Sequence, residues 1–214
     1  MQKILHAGLA AFSLLAMGGG SALADFDQDV TPDAIFGSGN ANGGSTTDRN
    51  KGVEIGLRGK LRFNAACAPE NTFNSNGDGT YSFDAVDRTS CQTSPFPTGE
   101  WGFEWAVNTD FEDTSGKTLD GFRYVLKLDG DPSLKTNYVK WDPINLGPNG
   151  CADHSIGTNL TGNGGGAEAS CPADAVAYAA SLAANNVAQQ SWRYNFFPFL
   201  GGGERLRSDS NRCV

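Results

Sequence analysis

Four sets of side chains in this sequence have the types and spacing to do chemistry. Glu100 and Glu104 stand on one face of an alternating run, Glu100 to Asn108, with Gly102 between them. Carboxylates roughly 5–10 Å apart are the acid and base of glycoside hydrolysis. Four positions along an extended strand span about 13 Å. Glu104 would therefore need a partner on a neighbouring strand; the plainer reading is a solvated strand face. Asp153-His154-Ser155 holds the residue types of a nucleophilic triad. Adjacent residues rarely converge in space, so a loop histidine holding a structural hydrogen bond is expected. His6 and His154 are the only histidines, and no two-histidine metal site is expected. Asp110, Glu112 and Asp113 follow one alternating run, and Asp129 and Asp131 close the next. If those ends meet they offer an oxygen-only calcium site; the spacing is not that of an EF-hand, and aspartates also stabilise turns. Trp101, Trp105, Trp141 and Trp192, with Tyr124 and Tyr194, offer rings for stacking on sugars, or else form the core face of the same runs. The GNGGG of residues 162–166 lacks the lysine of a phosphate-binding loop.

The elements that must position these groups are mostly strands. Val53, Ile55, Leu57, Leu61 and Phe63 alternate with Glu54, Arg58, Lys60 and Arg62, the pattern of a half-buried strand. Asn76-Gly77-Asp78-Gly79 reads as a turn before a strand at Tyr81 and Phe83. Trp101, Phe103, Trp105 and Val107 give the clearest alternation in the chain. Phe122, Tyr124, Leu126 and Leu128 alternate next, and Tyr138–Trp141 forms a short strand. Residues 37–50 and 147–171 are Gly/Asn-rich and read as loops. One helix is expected over the alanine-rich Ala173 to Leu182, with Ser170 as its cap, Pro172 in its first turn and Asn185-Asn186 at its end. Trp192, Tyr194 and Phe196 return to period two. The expected class is mainly β: an antiparallel β-sandwich, jelly-roll or Ig-like, with one short helix and long Gly-rich loops.

The ends bound the compartment. Met1-Gln2-Lys3, an apolar run from Ile4 to Met17 and Ala22-Leu23-Ala24 have the layout of a cleavable secretory signal over residues 1–24. That apolar run is shorter than the ~20 residues of a membrane-spanning helix, and no span is expected in the mature chain. Residues 25–52 are expected to be an extended or loop segment, and 53–200 the sandwich domain. The formal charge of −8 repels phosphate backbones, so nucleic acid is not an expected partner. In an oxidising compartment Cys67, Cys91, Cys151 and Cys171 are disulfide candidates. Four cysteines allow three pairings; the local ones, Cys67–Cys91 and Cys151–Cys171, are favoured, each contributing about 3 kcal/mol through loop closure. Residues 201–214 are irregular, with three arginines between Glu204 and Arg212 and a fifth cysteine, Cys213. Two readings stand for that tail: a shift of reading frame near Gly203, for which one permitted back-translation restores a turn and then a strand, or an authentic end with an unpaired thiol.

Six segments resemble the ectodomains of exported bacterial proteins of the PEP-CTERM class. They are TPDAIFGSGNANGG (31–44), GVEIGLRGKLRFN (52–64), NSNGDGTYSFDA (74–85), GEWGFEWAVNTDF (99–111), ADHSIGTNLTGNGGG (152–166) and SLAANNVAQQSWRY (181–194). The likeness is to whole segments and not to a catalytic motif, and this sequence lacks the sorting tail of that class. It implies a surface or matrix role in exopolysaccharide-producing bacteria. The function expected is that of a secreted or envelope-associated, non-catalytic protein of the extracellular matrix, biofilm or adhesion, whose partners are extracellular polysaccharide or matrix components. A carbohydrate-binding module and, less favoured, a glycan-active hydrolase are the rivals. No cofactor is expected, calcium apart.

Overall fold

The computed structural model describes residues 24–37, 39–61, 66, 68, 73, 75–83, 87, 88, 98, 99, 101–129, 135–145, 153–169 and 175–193. Its strands are β1 (Asp25–Gln28), β2 (Ser45–Asn50), β3 (Val53–Leu61), β4 (Asp87–Arg88), β5 (Thr98–Gly99), β6 (Trp101–Asn108), β7 (Leu126–Asp129), β8 (Tyr138–Trp141), β9 (Ser155–Gly157), β10 (Ala167–Glu168) and β11 (Val187–Arg193), with one α-helix among the described residues, α1 (Ala175–Ala184), and a single 3-10 turn at Leu119–Gly121. Seven strands form one antiparallel sheet in the order β1-β2-β3-β6-β11-β9-β10; β4-β5 and β7-β8 form two-stranded sheets. The protein is mainly β with one short helix, as the alternating runs predict, and the arrangement is consistent with a β-sandwich.

Strand β6 is the spine of the large sheet. Its β-branched and aromatic alternation suits a pleated surface. Pairing aligns Leu57 with Trp105 on one side and Gln190 with Trp105 on the other. One face of the sheet thereby gathers Trp101, Phe103, Trp105, Val107, Ala188, Trp192 and Ile156. Leu126 and Leu128 of β7, Leu119, Tyr124, Ile144 and Leu182 of α1 share the same core. Phe103 and Trp192 meet edge to face, with ring centroids 5.9 Å apart, a favoured aromatic geometry.

Several expectations are corrected. Residues 45–50, read as loop, form strand β2, because its backbone pairs along β3 whatever its side chains are. Lys51 and Gly52 both adopt positive φ, 53° and 81°, as a two-residue hairpin with right-handed twist demands. The loop expected over 147–171 contains β9 and β10. From Phe122 to Asp129, only Leu126–Asp129 is strand; Tyr124 is held instead by the Asp142 carboxylate on its N–H, 3.0 Å. Tyr81 makes a single bridge to Ser75 across the expected turn, not a strand. Strand β11 begins before the aromatic run, at Val187. Helix α1 ends where Asn185 was expected to stop it, the Asn185 amide donating to the Ser181 carbonyl at 2.8 Å. Ser170, Pro172, Tyr194, Phe196, the proposed signal up to Leu23 and the tail from residue 201 lie outside the described residues.

Candidate functional site

The other face of the large sheet carries the charges. In-register pairing sets Arg58 of β3 opposite Glu104 of β6, and Glu54 opposite Asn108. Sequence alternation places these residues on a face expected to be solvated; all four are buried. What covers them is residues 29–44, the strap, which crosses this face between β1 and β2. A strap without a ladder leaves main-chain donors and acceptors to be satisfied, and the side chains of the sheet satisfy them. The Thr31 N–H donates to Glu54 Oε1 at 2.6 Å and the Ile35 N–H to Gln189 Oε1 at 2.9 Å. The Asn108 amide donates to the Thr31 carbonyl at 2.7 Å. Arg58 donates to the carbonyls of Ala41 and Gly43, and Lys60 to Asn40 Oδ1 at 2.7 Å.

Glu104 is the hub. It accepts from Arg58 Nε through Oε2, and Lys60 Nζ lies 3.4 Å from Oε1. That second approach is close enough for an ion pair but is not aligned as a hydrogen bond, so Oε1 makes none. It borders a cavity of about 10 Å³ lined by strap residues Val30, Ala34 and Phe36 and by Arg58 and Gln189, room for about one water. The Arg58 guanidinium also lies over the Phe73 ring, 4.1 Å from its centroid. Glu104 is therefore neither on a solvated face nor poised as a glycosidase acid; it is the counter-ion of two buried cations. Glu100 lies outside the described residues.

The Asp153-His154-Ser155 run is split by the alternation of β9. His154 is fully buried beneath the aromatic face, its Nε2 3.0 Å from the Tyr178 hydroxyl of α1. That hydroxyl donates to the Ile144 carbonyl at 2.5 Å, so the bonding assigns the proton of this contact to His154 Nε2. Burial pushes the Tyr178 hydroxyl above its ordinary range. Ser155 sits in register with Gln189 and Glu168 on the opposite face. No triad forms, and the expected structural histidine is what the geometry gives.

The same strands bring together a pair that the sequence concealed. A hydrogen bond between the Glu168 and Asp153 carboxyls pushes Glu168 up to about 7; desolvation and the Asp153 charge add to the shift, and a hydrogen bond with Ser155 opposes it. Glu168 thus keeps its proton to a higher pH than an ordinary carboxyl does. Fifteen positions and a Gly-rich turn separate them in sequence, and only the β9–β10 pairing discloses them.

Asp110 is occupied as a turn-former. Its Oδ1 accepts the N–H groups of Thr114 and Ser115 and the Ser115 hydroxyl, and Oδ2 accepts the Gly116 N–H. These donors, the Ser115 N–H first, hold its carboxyl below the ordinary value against the opposing effect of desolvation. Glu112 and Asp113 are exposed, and Asp129 accepts the Asn137 N–H at 2.8 Å. Among the described residues no three acidic, His or Cys side chains gather as a metal site; Asp131 is not described. Trp101, Trp105 and Trp192 are buried in the core and present no ring face to a sugar. The side chain of Trp141 and the cysteines Cys67, Cys91, Cys151, Cys171 and Cys213 lie outside the described residues. No helix among the described residues is long and apolar enough to cross a membrane, which says nothing of a β-barrel. Comparison with protein-family models, curated proteins and solved structures finds no match.

Proposed function

We propose that this chain is an exported, non-catalytic β-rich module of the bacterial cell envelope or extracellular matrix, serving biofilm or adhesion. The observation that carries the reading is the commitment of its chemistry-bearing groups to internal partners. Glu104 neutralises Arg58 and Lys60, Asp110 closes a turn and His154 is sealed against Tyr178. Such groups make a rigid scaffold, and a scaffold contributes through its surface. The signal-like start, the cysteines and the resemblance to PEP-CTERM ectodomains support export. The test is fractionation of the native host carrying a tagged full-length gene, with mass spectrometry of the product. The expected product begins near Asp25 and partitions with envelope or matrix, and deletion of the gene weakens matrix cohesion. Uncleaved protein in the cytoplasm would overturn the reading.

A further inference from the structure

Lys60 and Asn40 are a nucleophile and an electrophile held against each other. Lys60 reaches from β3 to the strap, and its Nζ donates to Asn40 Oδ1 at 2.7 Å. The amide carbon Cγ lies one C=O bond, ~1.2 Å, beyond that oxygen, so Nζ stands within about 4 Å of it. The amide is fixed in this orientation, because its Nδ2 donates to the carbonyls of Phe36 and Gly37 at 2.7 and 2.9 Å. The flexible lysine stem can carry Nζ from the oxygen to the carbon.

An amine attacks carbon only after it has shed a proton. The carboxylate to receive that proton is in place. Glu104 Oε1 lies 3.4 Å from Nζ, and the Lys60 and Glu104 side chains are 5% and 3% exposed. A purely structural ion pair at this depth needs its lone pairs satisfied, yet Oε1 holds no hydrogen bond. Burial of the amine and the carboxylate keeps water from competing with them. Glu104 also lines the cavity of about 10 Å³, which suits a molecule as small as ammonia.

We propose that these three residues make an isopeptide bond between Lys60 Nζ and Asn40 Cγ, with Glu104 carrying the protons. Nζ gives a proton to Glu104 Oε1, and its lone pair forms a C–N bond to Cγ as the carbonyl electrons move onto Oδ1. Glu104 passes the proton to Nδ2; the carbonyl re-forms, the Cγ–Nδ2 bond breaks and ammonia leaves. The surplus proton on Nζ goes through Glu104 to the ammonia. One ammonium side chain and one primary amide thus become a secondary amide and an ammonium ion. Glu104 is unchanged, and no oxidant or reductant is consumed. The reaction runs once per molecule and leaves no turnover site. Before the bond closes Lys60 is a cation that Glu104 pairs with; afterwards Glu104 keeps Arg58. The strap is then tied to β3 across 20 positions, as a disulfide would tie it, by a bond that reductants leave intact. Neither a partner nor an oxidising compartment is needed, so the bond is independent of export.

The test is mass spectrometry of the whole folded protein, reduced, both intact and after proteolysis. The expected mass is one ammonia below that of the sequence from its measured first residue, with one branched peptide joining Lys60 to Asn40. Lys60→Arg keeps a cation beneath the strap but has no attacking amine; it should restore the full mass and abolish the branched peptide. Glu104→Gln should do the same by removing the proton carrier, with near-ultraviolet dichroism of the tryptophans reporting that it has folded. Asn40→Ala removes the electrophile without touching a buried charge and should also restore the full mass. Wild-type protein of full mass with no branched peptide overturns the proposal. A loss of ammonia that persists in Lys60→Arg belongs to a succinimide at an Asn-Gly step and overturns it too. A folded Glu104→Gln that still yields the branched peptide overturns the role of Glu104.

Discussion

The two faces of the seven-stranded sheet are buried to similar depth by opposite chemistries. One is covered by aromatic and aliphatic side chains, Trp105, Phe103 and Trp192 at its centre. The other is covered by a strap that brings main-chain polar groups, so the sheet meets it with Glu54, Arg58, Lys60, Asn108 and Gln189. Apolar burial is non-directional, and it accepts whatever loops and helix lie above. Hydrogen-bonded burial is directional, and it fixes where each strap residue sits. The first face supplies most of the driving force; the second supplies position.

The sharpest way to break this contrast is to remove one centre from each face. Trp105→Ala should cost about 3–5 kcal/mol through the cavity it leaves. Glu104→Leu should cost about as much, ~3–5 kcal/mol, because Arg58 and Lys60 are left buried without their anion. Denaturant unfolding measures both. The triple change Arg58→Met, Lys60→Met and Glu104→Leu should recover part of the second loss, because it removes the unpaired charges but strands the Ala41 and Gly43 carbonyls and Asn40 Oδ1, and none of the first. If the triple variant is no better than Glu104→Leu, the ion cluster is not self-contained. Next in size are two changes that touch only the strap. Gln189→Leu strands the Ile35 N–H and the Pro32 carbonyl, at about 1–3 kcal/mol. Gly56→Ala places a methyl 2.6 Å from Val30 Cγ1, and overpacking of this kind costs about 1–3 kcal/mol. Both should speed proteolysis within residues 29–44 while near-ultraviolet dichroism of the tryptophans holds.

The smallest effect concerns pH. Glu168 rises from its ordinary 4.5 to about 7 on folding, so the folded chain binds more protons between those values. The contact with Asp153 is fully stabilising below about pH 4.5 and is lost as pH rises through about 7. The difference in melting temperature between the wild type and Glu168→Gln should follow that course. A difference that is flat across the interval would show that folding does not raise Glu168.

The sequence disclosed the aromatic face and concealed the polar one. Alternation in Trp101–Val107 and Val53–Leu61 identified β6 and most of β3 because one side of each is apolar. The same alternation reads identically whether the polar side meets water or a strap, so Glu54, Arg58 and Glu104 looked solvated. Ser45–Asn50 showed no strand pattern because every residue is polar; its place comes from the turn at Lys51-Gly52 and from its pairing with β3. The opposite signs of Arg58 and Glu104 on neighbouring strands were a usable signal, but only with the β3–β6 register in hand. The alanine-rich helix and its Asn stop were legible because they are local. The proximity of Asp153 and Glu168 was not, because it depends on the pairing of two short strands, β9 and β10, that carry no legible alternation.

The strap also dictates an order of events. Its Ile35 N–H closes on a side chain 154 positions later, and its Pro32 carbonyl on one 157 positions away. Contacts of such separation form late, since the entropy of a long loop must be surrendered before they reward it. A nascent chain that has not yet reached β11 holds its early strap with no Gln189 to fasten it. The fold thus carries a built-in delay: the front of the chain is locked only when its far end is in place.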